Sequence, residues 1–443
     1  MKKVDFLFIY EHKMRELDSL CLLKCELEKK GYKVDIVSCA ELNCIRKPIF
    51  DAEVVVIPGC AGNISTEYYV GRFVKFNKII SMQREQIMCT IAEEDKGGWN
   101  KIGGIGTNAC IFCWNSQSKK WLVEKQGCSD CNARVVGNIS MDFCKERFNK
   151  FYYNKDEISK KYNLDKEKKW ITFISSFSLV GLSNSEMDDL VKDIGMPEYY
   201  DLWDISVKSQ TDILKWFSAL LEKEEDVIII YRPHPGEIVN ENLKEMMIKY
   251  NNFKIILGES VQQWIHVTDK VYTWISTSLA DAMFSGVPCS VLRPYEIPAE
   301  FDIVLYKKSK YIKDEEGFMK SISSKESYFP ISLEDLKECY YFNEKKYTYE
   351  EEAEICEEVY KSSKYKISIE EMSKFKEYQK DKYKNESIKS KIKGNIICLQ
   401  IYYFLLNKCN LRRFKKKSRD EFFKEIKSNK EIKDICTRIR RCI

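Results

Sequence analysis

The chain has 443 residues, of which 44% are hydrophobic and 13% aromatic, which is enough for two folded domains with their own cores. Its net charge of +5 conceals a strongly basic end after residue 380 and a mildly acidic body before it. No stretch reaches the roughly 18 uncharged apolar residues of a spanning helix, and no signal-peptide pattern opens the chain, so we predict a cytoplasmic globular protein.

The first 150 residues alternate between apolar, β-branched runs and amphipathic segments. This pattern predicts a mostly parallel sheet covered by helices. We therefore expect a Rossmann-like acceptor domain over residues 1–150, followed by a polar linker with one short helix at 151–169. The predicted strands of this domain are Lys3–Tyr10, Tyr32–Ser38, Glu53–Ile57, Lys78–Met82 and Ala133–Val136.

A second series of the same kind predicts a Rossmann-like donor domain over residues 170–330. Two doubly wound domains joined by a linker are expected to face a central cleft in which a ligand can bind. Residues 331–443 are charge-dense and are predicted to form a helical, basic C-terminal extension. The predicted strands of the second domain are Trp170–Ser175, Val227–Tyr231, Phe253–Leu257, Val271–Ile275 and Cys289–Leu292.

One of these strands, Val227–Tyr231, runs directly into Arg232-Pro233-His234-Pro235. The two prolines fix their own φ angles and restrict the residue before each of them, so the histidine has little backbone freedom. In open α/β sheets, ligands bind beyond the carboxyl ends of the strands. An imidazole held there beside an arginine suits an anionic ligand, while a surface turn with an incidental histidine is the alternative.

A second polar cluster, Ser276, Thr277 and Ser278, follows the strand Val271–Ile275 and opens a helix. We call these three residues the serine cluster. Three hydroxyl groups beside the first N–H groups of a helix can hold an anion without a bound cation. A capping serine is the ordinary alternative. Because the cluster lies in a strand–helix unit near the Pro-His-Pro sequence, both are predicted to contact the same phosphate.

The chain resembles the GT-B transferases that assemble bacterial surface polysaccharides, a group with a His-Pro motif and a Ser-Ser/Thr motif. The group includes polysialyltransferases, capsule Kdo transferases and CDP-glycerol glycerophosphotransferases. In the second domain the resemblance rests on Arg232-Pro233-His234-Pro235-Gly236-Glu237, on Ser276-Thr277-Ser278 and on the turn Gly286-Val287-Pro288. In the first domain, Gly137-Asn138 with Asp142 is similar to the end of that group's amino-terminal half.

This resemblance implies a GT-B fold and transfer from a cytidine-nucleotide donor, a CMP-activated sugar such as Kdo, sialic acid or another nonulosonic acid. It places Arg232, His234 and the serine cluster on the donor phosphate, with His234 also catalytic. Imidazole, hydroxyl and amide groups can stabilise the negative charge of a leaving nucleotide without a metal. We expect no metal and no cofactor, because no paired-carboxylate sequence stands at a strand end of the second domain.

An inverting transfer needs a general base for the acceptor hydroxyl, which we expect the first domain to supply. Glu85 follows a predicted strand, and Glu11 or His12 after the first strand is its competitor. The transferases that the chain resembles carry an acidic pair followed directly by glycine. The sequence Glu94-Asp95-Lys96-Gly97 matches this motif poorly, because a lysine stands between the acidic pair and the glycine. For each carboxylate, a solvated loop residue is the ordinary interpretation.

Two other functions fit these residues. A CDP-glycerol or CDP-alditol phosphotransferase would use the same phosphate-binding motifs, and a non-catalytic nucleotide-binding protein would fit the poorly matched acidic motif. The expected acceptor of the favoured transferase is a glycan or glycolipid. The apolar run 394–406 and the basic run 412–419 suit peripheral contact with the inner membrane surface, or a helix docked on the protein body. We expect no nucleic-acid partner, because no recognisable nucleic-acid module accompanies the basic end.

The eighteen cysteines are predicted to be mostly buried free thiols. Cys110, Cys113, Cys128 and Cys131 have nearly the spacing of a zinc ribbon, but their apolar neighbours favour buried thiols in a core helix. A further set of aromatic side chains stands near the strands of the second domain, where core positions are more common than ligand contacts. These are Trp264, His266, Tyr272 and Trp274.

Overall fold

The computed structural model describes residues 2–44, 50–71, 74–83, 86, 102–323, 329–343, 345–384, 425 and 428–443. These residues divide into two compact units. Unit 1 takes in the described parts of Met1–Gln86, Trp99–Asp142 and Tyr340–Ile443. Unit 2 takes in the described parts of Phe143–Cys339.

Unit 1 is built on a parallel sheet of six strands. The strands are β1 Lys2–Tyr10, β2 Val34–Ser38, β3 Phe50–Ile57, β4 Val74–Ser81, β5 Cys110–Cys113 and β6 Ala133–Val135. Their order across the sheet is β2-β1-β3-β4-β5-β6. The helices that connect them are α1 Lys13–Lys29, α2 Cys39–Cys44, α3 Asn63–Val70 and α4 Ser116–Gln126. Residues 6–10 of β1 are all buried, as expected for a parallel sheet covered on both faces.

Unit 2 contains a second parallel sheet of six strands. The strands are β7 Lys169–Ile174, β8 Val227–Arg232, β9 Phe253–Ile255, β10 Lys270–Thr273, β11 Cys289–Leu292 and β12 Tyr311–Ile312. Their order is β12-β11-β10-β7-β8-β9, which is the Rossmann order 3-2-1-4-5-6. The helices are α5 Lys155–Tyr162, α6 Asn184–Ile194, α7 Tyr199–Lys223, α8 Glu241–Lys249, α9 Val261–Val267, α10 Ser278–Phe284, α11 Glu315–Ser323 and α12 Leu333–Cys339.

Strand β8 is buried on both faces, which explains its unbroken apolar sequence. Ile229 and Tyr231 pack on one face of the sheet with side chains of α7. Ile228 and Ile230 pack on the opposite face with Trp264 of α9. The next side chain in this alternation, Arg232, therefore points to the α9 side of the sheet.

The described helices after Tyr340 belong to unit 1. They are α13 Thr348–Lys361, α14 Ile369–Tyr383 and α15 Asn429–Ile439. The backbone N–H of Tyr341 donates to the carbonyl of Trp114 at 2.7 Å, and that of Tyr349 donates to the buried carboxylate of Asp142 at 2.8 Å. The Gly137–Asp142 segment therefore joins the sheet of unit 1 to its C-terminal helices. The predicted α/β fold class, with two doubly wound Rossmann-like units and C-terminal helices, is confirmed.

One prediction about the cysteines is wrong. The sequence between Cys110 and Cys113 was expected to lie in a core helix, but it forms β5, because four consecutive buried residues fit a strand between two parallel neighbours. Cys110, Cys113 and Cys128 are buried free thiols, and Cys131 is exposed. No group of three or more His, Cys, Asp or Glu side chains able to hold a metal ion occurs among the described residues.

Replacing Gly137 with alanine is expected to destabilise unit 1. Gly137 has a φ angle of +90°, and an added Cβ would lie 2.4 Å from the carbonyl oxygen of Tyr341. Gly31 has nearly the same φ angle, +92°, but an added Cβ there meets nothing within 4 Å. We expect the free energy of unfolding to fall by about 1–3 kcal/mol for Gly137→Ala and by less for Gly31→Ala. Equal losses in denaturant titrations would contradict the close approach at Gly137.

Candidate functional site

The candidate donor site lies at the carboxyl edge of the unit 2 sheet. The order of strands reverses between β7 and β10, and ligands of Rossmann-like sheets bind beyond the strand ends at such a reversal. Two loops meet there: the backbone N–H of Ile275, after β10, donates to Oγ of Ser176, after β7, at 3.1 Å. The loop after β8, residues 233–237, follows the strand on the other side of β7 and is called the His-Pro loop below.

The His-Pro loop holds His234 in one orientation. The backbone N–H of Glu237 donates to the His234 carbonyl at 2.8 Å, which closes a β-turn with Pro235 in its second position. The backbone N–H of Gly236 donates to Nδ1 of the imidazole at 3.1 Å. Since Nδ1 accepts this bond, the proton of the neutral ring lies on Nε2. The exposed imidazole therefore offers an N–H donor.

A partly buried carboxylate, Glu237, fixes the His-Pro loop to its surroundings. Its Oε2 accepts the backbone N–H of His234 at 3.0 Å and the hydroxyl of Ser175 at 2.6 Å. Its Oε1 accepts the hydroxyl of Tyr231 at 2.5 Å and an N–H of Gln210 at 3.3 Å. Burial raises the pKa of Glu237 above its ordinary value, against the effect of these donors.

These contacts bring residues into the candidate site to which the sequence analysis gave no role. Glu237 was quoted as part of the motif but received no role, and Ser175 and Ser176 received none either. A signal for the two serines was present, because they follow a strand in the same way as the serine cluster. The contact of Glu237 with Gln210 of α7 depends on tertiary packing, and no local sequence pattern indicates it.

Arg232 has a different environment from the anion site predicted for it. Its Nη1 donates to the carbonyl of Gly258 at 2.9 Å, and its Nη2 donates to the carbonyl of Glu259. Glu259 has a φ angle of +65°, an uncommon value for a residue other than glycine. Burial lowers the pKa of the Arg232 guanidinium to about 10. Arg232 thus holds the loop after β9, and its contact with a donor phosphate stays a prediction.

In the serine cluster, one side chain bonds to the backbone at the start of α10. Oγ of Ser276 accepts the backbone N–H of Ser278 at 3.2 Å. The hydroxyl of Tyr306 makes two hydrogen bonds with the backbone of Ser276. It accepts the Ser276 N–H at 2.6 Å and donates to the Ser276 carbonyl at 2.7 Å. Thr277 is exposed, whereas Ser276 and Ser278 are half-buried. Ser276 thus accepts the N–H of the first residue of α10, and phosphate contact by the cluster stays a prediction.

Asp281, one turn into α10, should make the stability of unit 2 depend on pH. It is buried, accepts an N–H of Gln262 at 2.8 Å, and burial raises its pKa to about 7. Because the pKa of Asp281 is higher in the folded than in the unfolded chain, its protonated form favours the folded state. This contribution is fully present below the ordinary carboxyl pKa, about 4, and is lost as the pH rises through about 7.

We expect Asp281→Asn to unfold at the same denaturant concentration as the parent near pH 4, and to be more stable by about 1–3 kcal/mol at pH 8. Denaturant titrations at pH 4, 6 and 8 measure this. Asp204→Asn is the matched control, because Asp204 is an exposed helical residue paired with Lys208. A stability difference for Asp281→Asn that does not change with pH would refute the assignment.

The candidate acceptor-side residues lie at the carboxyl edge of the unit 1 sheet, where the order of strands reverses beside β1. Glu11 and His12 follow β1, and both of their backbone N–H groups donate to the buried carboxylate of Glu16, at 3.4 and 3.2 Å. Oε2 of Glu11 also accepts the hydroxyl of Tyr69 at 3.3 Å. The other candidate base, Glu85, lies outside the described residues.

His12 has a carboxylate partner from the C-terminal part of the chain. Its Nδ1 lies 3.6 Å from Oε1 of Glu425. The neighbouring carboxylate of Glu425 is the main cause that raises the pKa of His12 above its ordinary value. The sequence analysis had no means to find this pair, because its members are 413 residues apart along the chain. The acidic motif Glu94-Asp95-Lys96-Gly97, the apolar run 394–406 and the basic run 412–419 lie outside the described residues.

The aromatic side chains weighed as a nucleotide pocket are mostly core residues. Trp264, Tyr272 and Trp274 are buried, which confirms the core interpretation for these three. His266 stacks on Tyr152, with ring centroids 5.0 Å apart, and burial lowers its pKa. Within the described part of the chain, no helix is long and apolar enough to cross a membrane.

No family model and no curated protein matches the chain. Among solved structures, the wall teichoic acid polymerase TagF with CDPG shares 12% identity, covers 80% of this chain and 88% of its own, and has a TM-score of 0.48. A UDP-GlcNAc 2-epimerase from Neisseria meningitidis bound to UDP-GlcNAc shares 12% identity, with coverages of 81% and 99% and a TM-score of 0.46. One from Methanocaldococcus jannaschii, in complex with UDP-GlcNAc and UDP, shares 13% identity, with coverages of 76% and 98% and a TM-score of 0.42.

The sequence identities to these structures are 12–13% and the TM-scores are below 0.5, so the structural similarity does not establish the activity of this chain. The strand orders define the class: two doubly wound parallel sheets followed by C-terminal helices match the GT-B fold. Ligand binding at the carboxyl edges of such sheets is the general expectation for doubly wound folds.

Proposed function

We propose that the protein is a glycosyltransferase of surface polysaccharide biosynthesis, which transfers an acidic sugar from a CMP-activated donor to a glycan or glycolipid acceptor. In this proposal the His-Pro loop and the serine cluster of unit 2 bind the donor phosphate. Unit 1 supplies the general base for the acceptor hydroxyl. The reaction uses no metal and no cofactor, because N–H and O–H donors at the edge of unit 2 stabilise the leaving phosphate.

The observation that carries this proposal is the fixed tautomer of His234 at the strand end. The Gly236 N–H directs the imidazole proton to Nε2, so the ring meets a phosphate oxygen as a donor. Ser176, after the neighbouring strand, accepts one hydrogen bond through its Oγ and has its own O–H to donate. Neutral donors of this kind stabilise charge as it develops on the leaving group.

The chemistry of the donor explains why such an arrangement suits transfer. In a CMP-activated sugar, the bond that breaks joins the anomeric carbon to a phosphate oxygen, and the electron pair leaves with the phosphate of CMP. Negative charge therefore increases on that phosphate in the transition state. Donors aimed at the phosphate stabilise the transition state more than the bound substrate, and this difference accelerates the reaction.

A CDP-alditol phosphotransferase is the second candidate function, supported by the same donor groups. In that reaction the acceptor attacks the outer phosphorus, the phosphoanhydride bond breaks, and CMP again leaves. The two functions therefore share the nucleotide product and differ in the bond that breaks. A non-catalytic nucleotide-binding protein would bind CMP and release none from any donor.

The test is CMP release from a panel of donors by the purified protein. CMP-sialic acid, CMP-Kdo, CDP-glycerol and UDP-GlcNAc are each supplied with an oligosaccharide acceptor, and thermal unfolding with CMP, CDP and UMP measures nucleotide binding. We expect CMP release from a CMP-sugar and stabilisation by CMP above that by UMP. Release from CDP-glycerol alone would establish the phosphotransferase, and binding of CMP without any release would overturn an enzymatic role.

A further inference from the structure

The ion pair between His12 and Glu425 gives the imidazole of unit 1 the opposite tautomer to that of unit 2. Nδ1 of His12 lies 3.6 Å from Oε1 of Glu425. The nearby negative charge favours a proton on Nδ1, because a carboxylate oxygen can only accept. Nε2 of the neutral ring then has a free lone pair for a proton. Nδ1 of His234, in contrast, accepts the N–H of Gly236. One histidine is thus arranged to accept a proton at Nε2 and the other to donate one.

Glu425 is held in place by two contacts besides the imidazole. Its Oε2 accepts the backbone N–H of Lys13 at 2.5 Å. Its backbone carbonyl accepts the hydroxyl of Tyr10, the last residue of β1, at 2.6 Å. The side chain of Lys13 also pairs with Glu431 at 3.3 Å, so α15 lies at the same edge. The carboxylate is therefore anchored independently of the histidine it faces.

The loop that carries His12 is fixed from the other side. Glu16 is fully buried and accepts the backbone N–H of His12 at 3.2 Å. The carboxylate of Glu237 accepts the backbone N–H of His234 in the same way, at 3.0 Å. In each unit, a carboxylate thus orients the backbone of the exposed histidine at the strand end.

We propose that Glu425 is a positioning residue that makes His12 the general base of the transfer. This inference rests on the function proposed above, and it selects His12 over its neighbour Glu11. The carboxylate holds the ring, fixes its tautomer and stabilises the imidazolium that forms, as a carboxylate does for histidine in other dyads. The C-terminal part of the chain then completes the acceptor-side site of unit 1.

The step conserves atoms and electrons. The acceptor hydroxyl oxygen forms a bond to the anomeric carbon of the donor, and its proton passes to Nε2 of His12. The bond from that carbon to the phosphate oxygen breaks, and its electron pair leaves with CMP. The imidazolium, paired with Glu425 through Nδ1–H, returns its proton to solvent.

Charged groups around His12 determine whether its pKa rises or falls. Glu425, Glu11 and Glu16 favour the charged imidazolium and raise its pKa, while burial and the guanidinium of Arg15 lower it, with a net rise. The interaction with the Glu425 carboxylate is the largest of these effects. Glu425→Gln should therefore lower the pKa of His12, and the acid limb of the pH–rate profile should move to lower pH.

The first measurement is an NMR titration, which needs no enzymatic activity. The chain has three histidines, so His→Gln variants assign each imidazole signal. In Glu425→Gln, the midpoint of the His12 titration is expected to fall, while that of His266 stays unchanged. Glu431→Gln is the matched control, because it removes a carboxylate from the same edge that pairs with Lys13. An unchanged His12 midpoint in Glu425→Gln overturns the pairing, whatever the protein catalyses.

The second measurement is the pH dependence of CMP release with acceptor present. Glu425→Gln is expected to lower kcat by about tenfold or more and to shift the acid limb to lower pH, with KM for the donor unchanged. Glu431→Gln should retain the parent profile. If the His12 midpoint moves but the acid limb does not, His12 is not the base and the proposal is overturned. If no donor yields CMP, the proposed function fails, and the titration alone reports on the pair.

Discussion

Replacing His234 with alanine is expected to reduce CMP release by about 100- to 10,000-fold, the range for loss of an acid–base or charge-stabilising group. The imidazole is exposed, so its removal leaves no cavity in the core of unit 2. Thermal unfolding should therefore stay close to that of the parent protein. The loss should appear in kcat more than in KM for the donor, because the leaving phosphate gains charge only in the transition state.

The control for His234→Ala is His266→Gln. His266 stacks on Tyr152 and has no role in the proposed chemistry, so its variant should release CMP at the parent rate. His234→Gln tests the tautomer argument, because the amide nitrogen of glutamine can donate a hydrogen bond in place of Nε2. Partial recovery in this variant is expected. A His234→Ala protein with parental kcat would show that the His-Pro loop does not contact the leaving phosphate.

The sequence predicted the two-domain α/β fold well, and the reason lies in β8. Five apolar residues in a row, bounded by charged residues and prolines, have few alternatives to a strand buried on both faces. Cys110–Cys113 is a similar run of buried residues, but its two cysteines led to the wrong prediction of a helix. Short strands are the hardest to distinguish from buried helical segments by pattern alone, and here the pairing of β5 with β4 and β6 decided the structure.

The sequence predicted the site only where the geometry of a side chain is determined by its immediate neighbours along the chain. His234 stands between two prolines, so its rigidity follows from the covalent chain. The environment of Arg232 depends on the loop after β9, 26 residues away, and the partner of His12 is 413 residues away. Such contacts depend on tertiary packing, which a single sequence does not specify by spacing. The sequence therefore named the histidines, and the structure supplied the groups that fix their tautomers.

Replacing Glu237 with alanine is expected to lower kcat by about 10- to 100-fold although the imidazole of His234 is retained, a loss of about 1.4 to 2.7 kcal/mol in transition-state stabilisation. The alanine variant leaves the N–H of His234 without its acceptor, and it leaves the hydroxyls of Ser175 and Tyr231, 2.9 Å apart, with only one acceptor between them. Loss of a shared acceptor by buried donors costs about 1–3 kcal/mol of stability, so unfolding in denaturant should show a loss as well.

The variant Glu237→Gln distinguishes the role of Glu237 in positioning His234 from any role of its negative charge. An amide oxygen in the place of Oε2 can still accept the N–H of His234 and the hydroxyl of Ser175. The hydroxyl of Tyr231 can turn to accept from an amide nitrogen in the place of Oε1. Because burial raises the pKa of Glu237, the site tolerates a neutral side chain better than an exposed carboxylate site would. We expect Glu237→Gln to recover most of the kcat and stability lost in Glu237→Ala. If the glutamine variant is as slow as the alanine variant, the negative charge of Glu237 is needed in the reaction itself, and its role as a positioning residue is wrong.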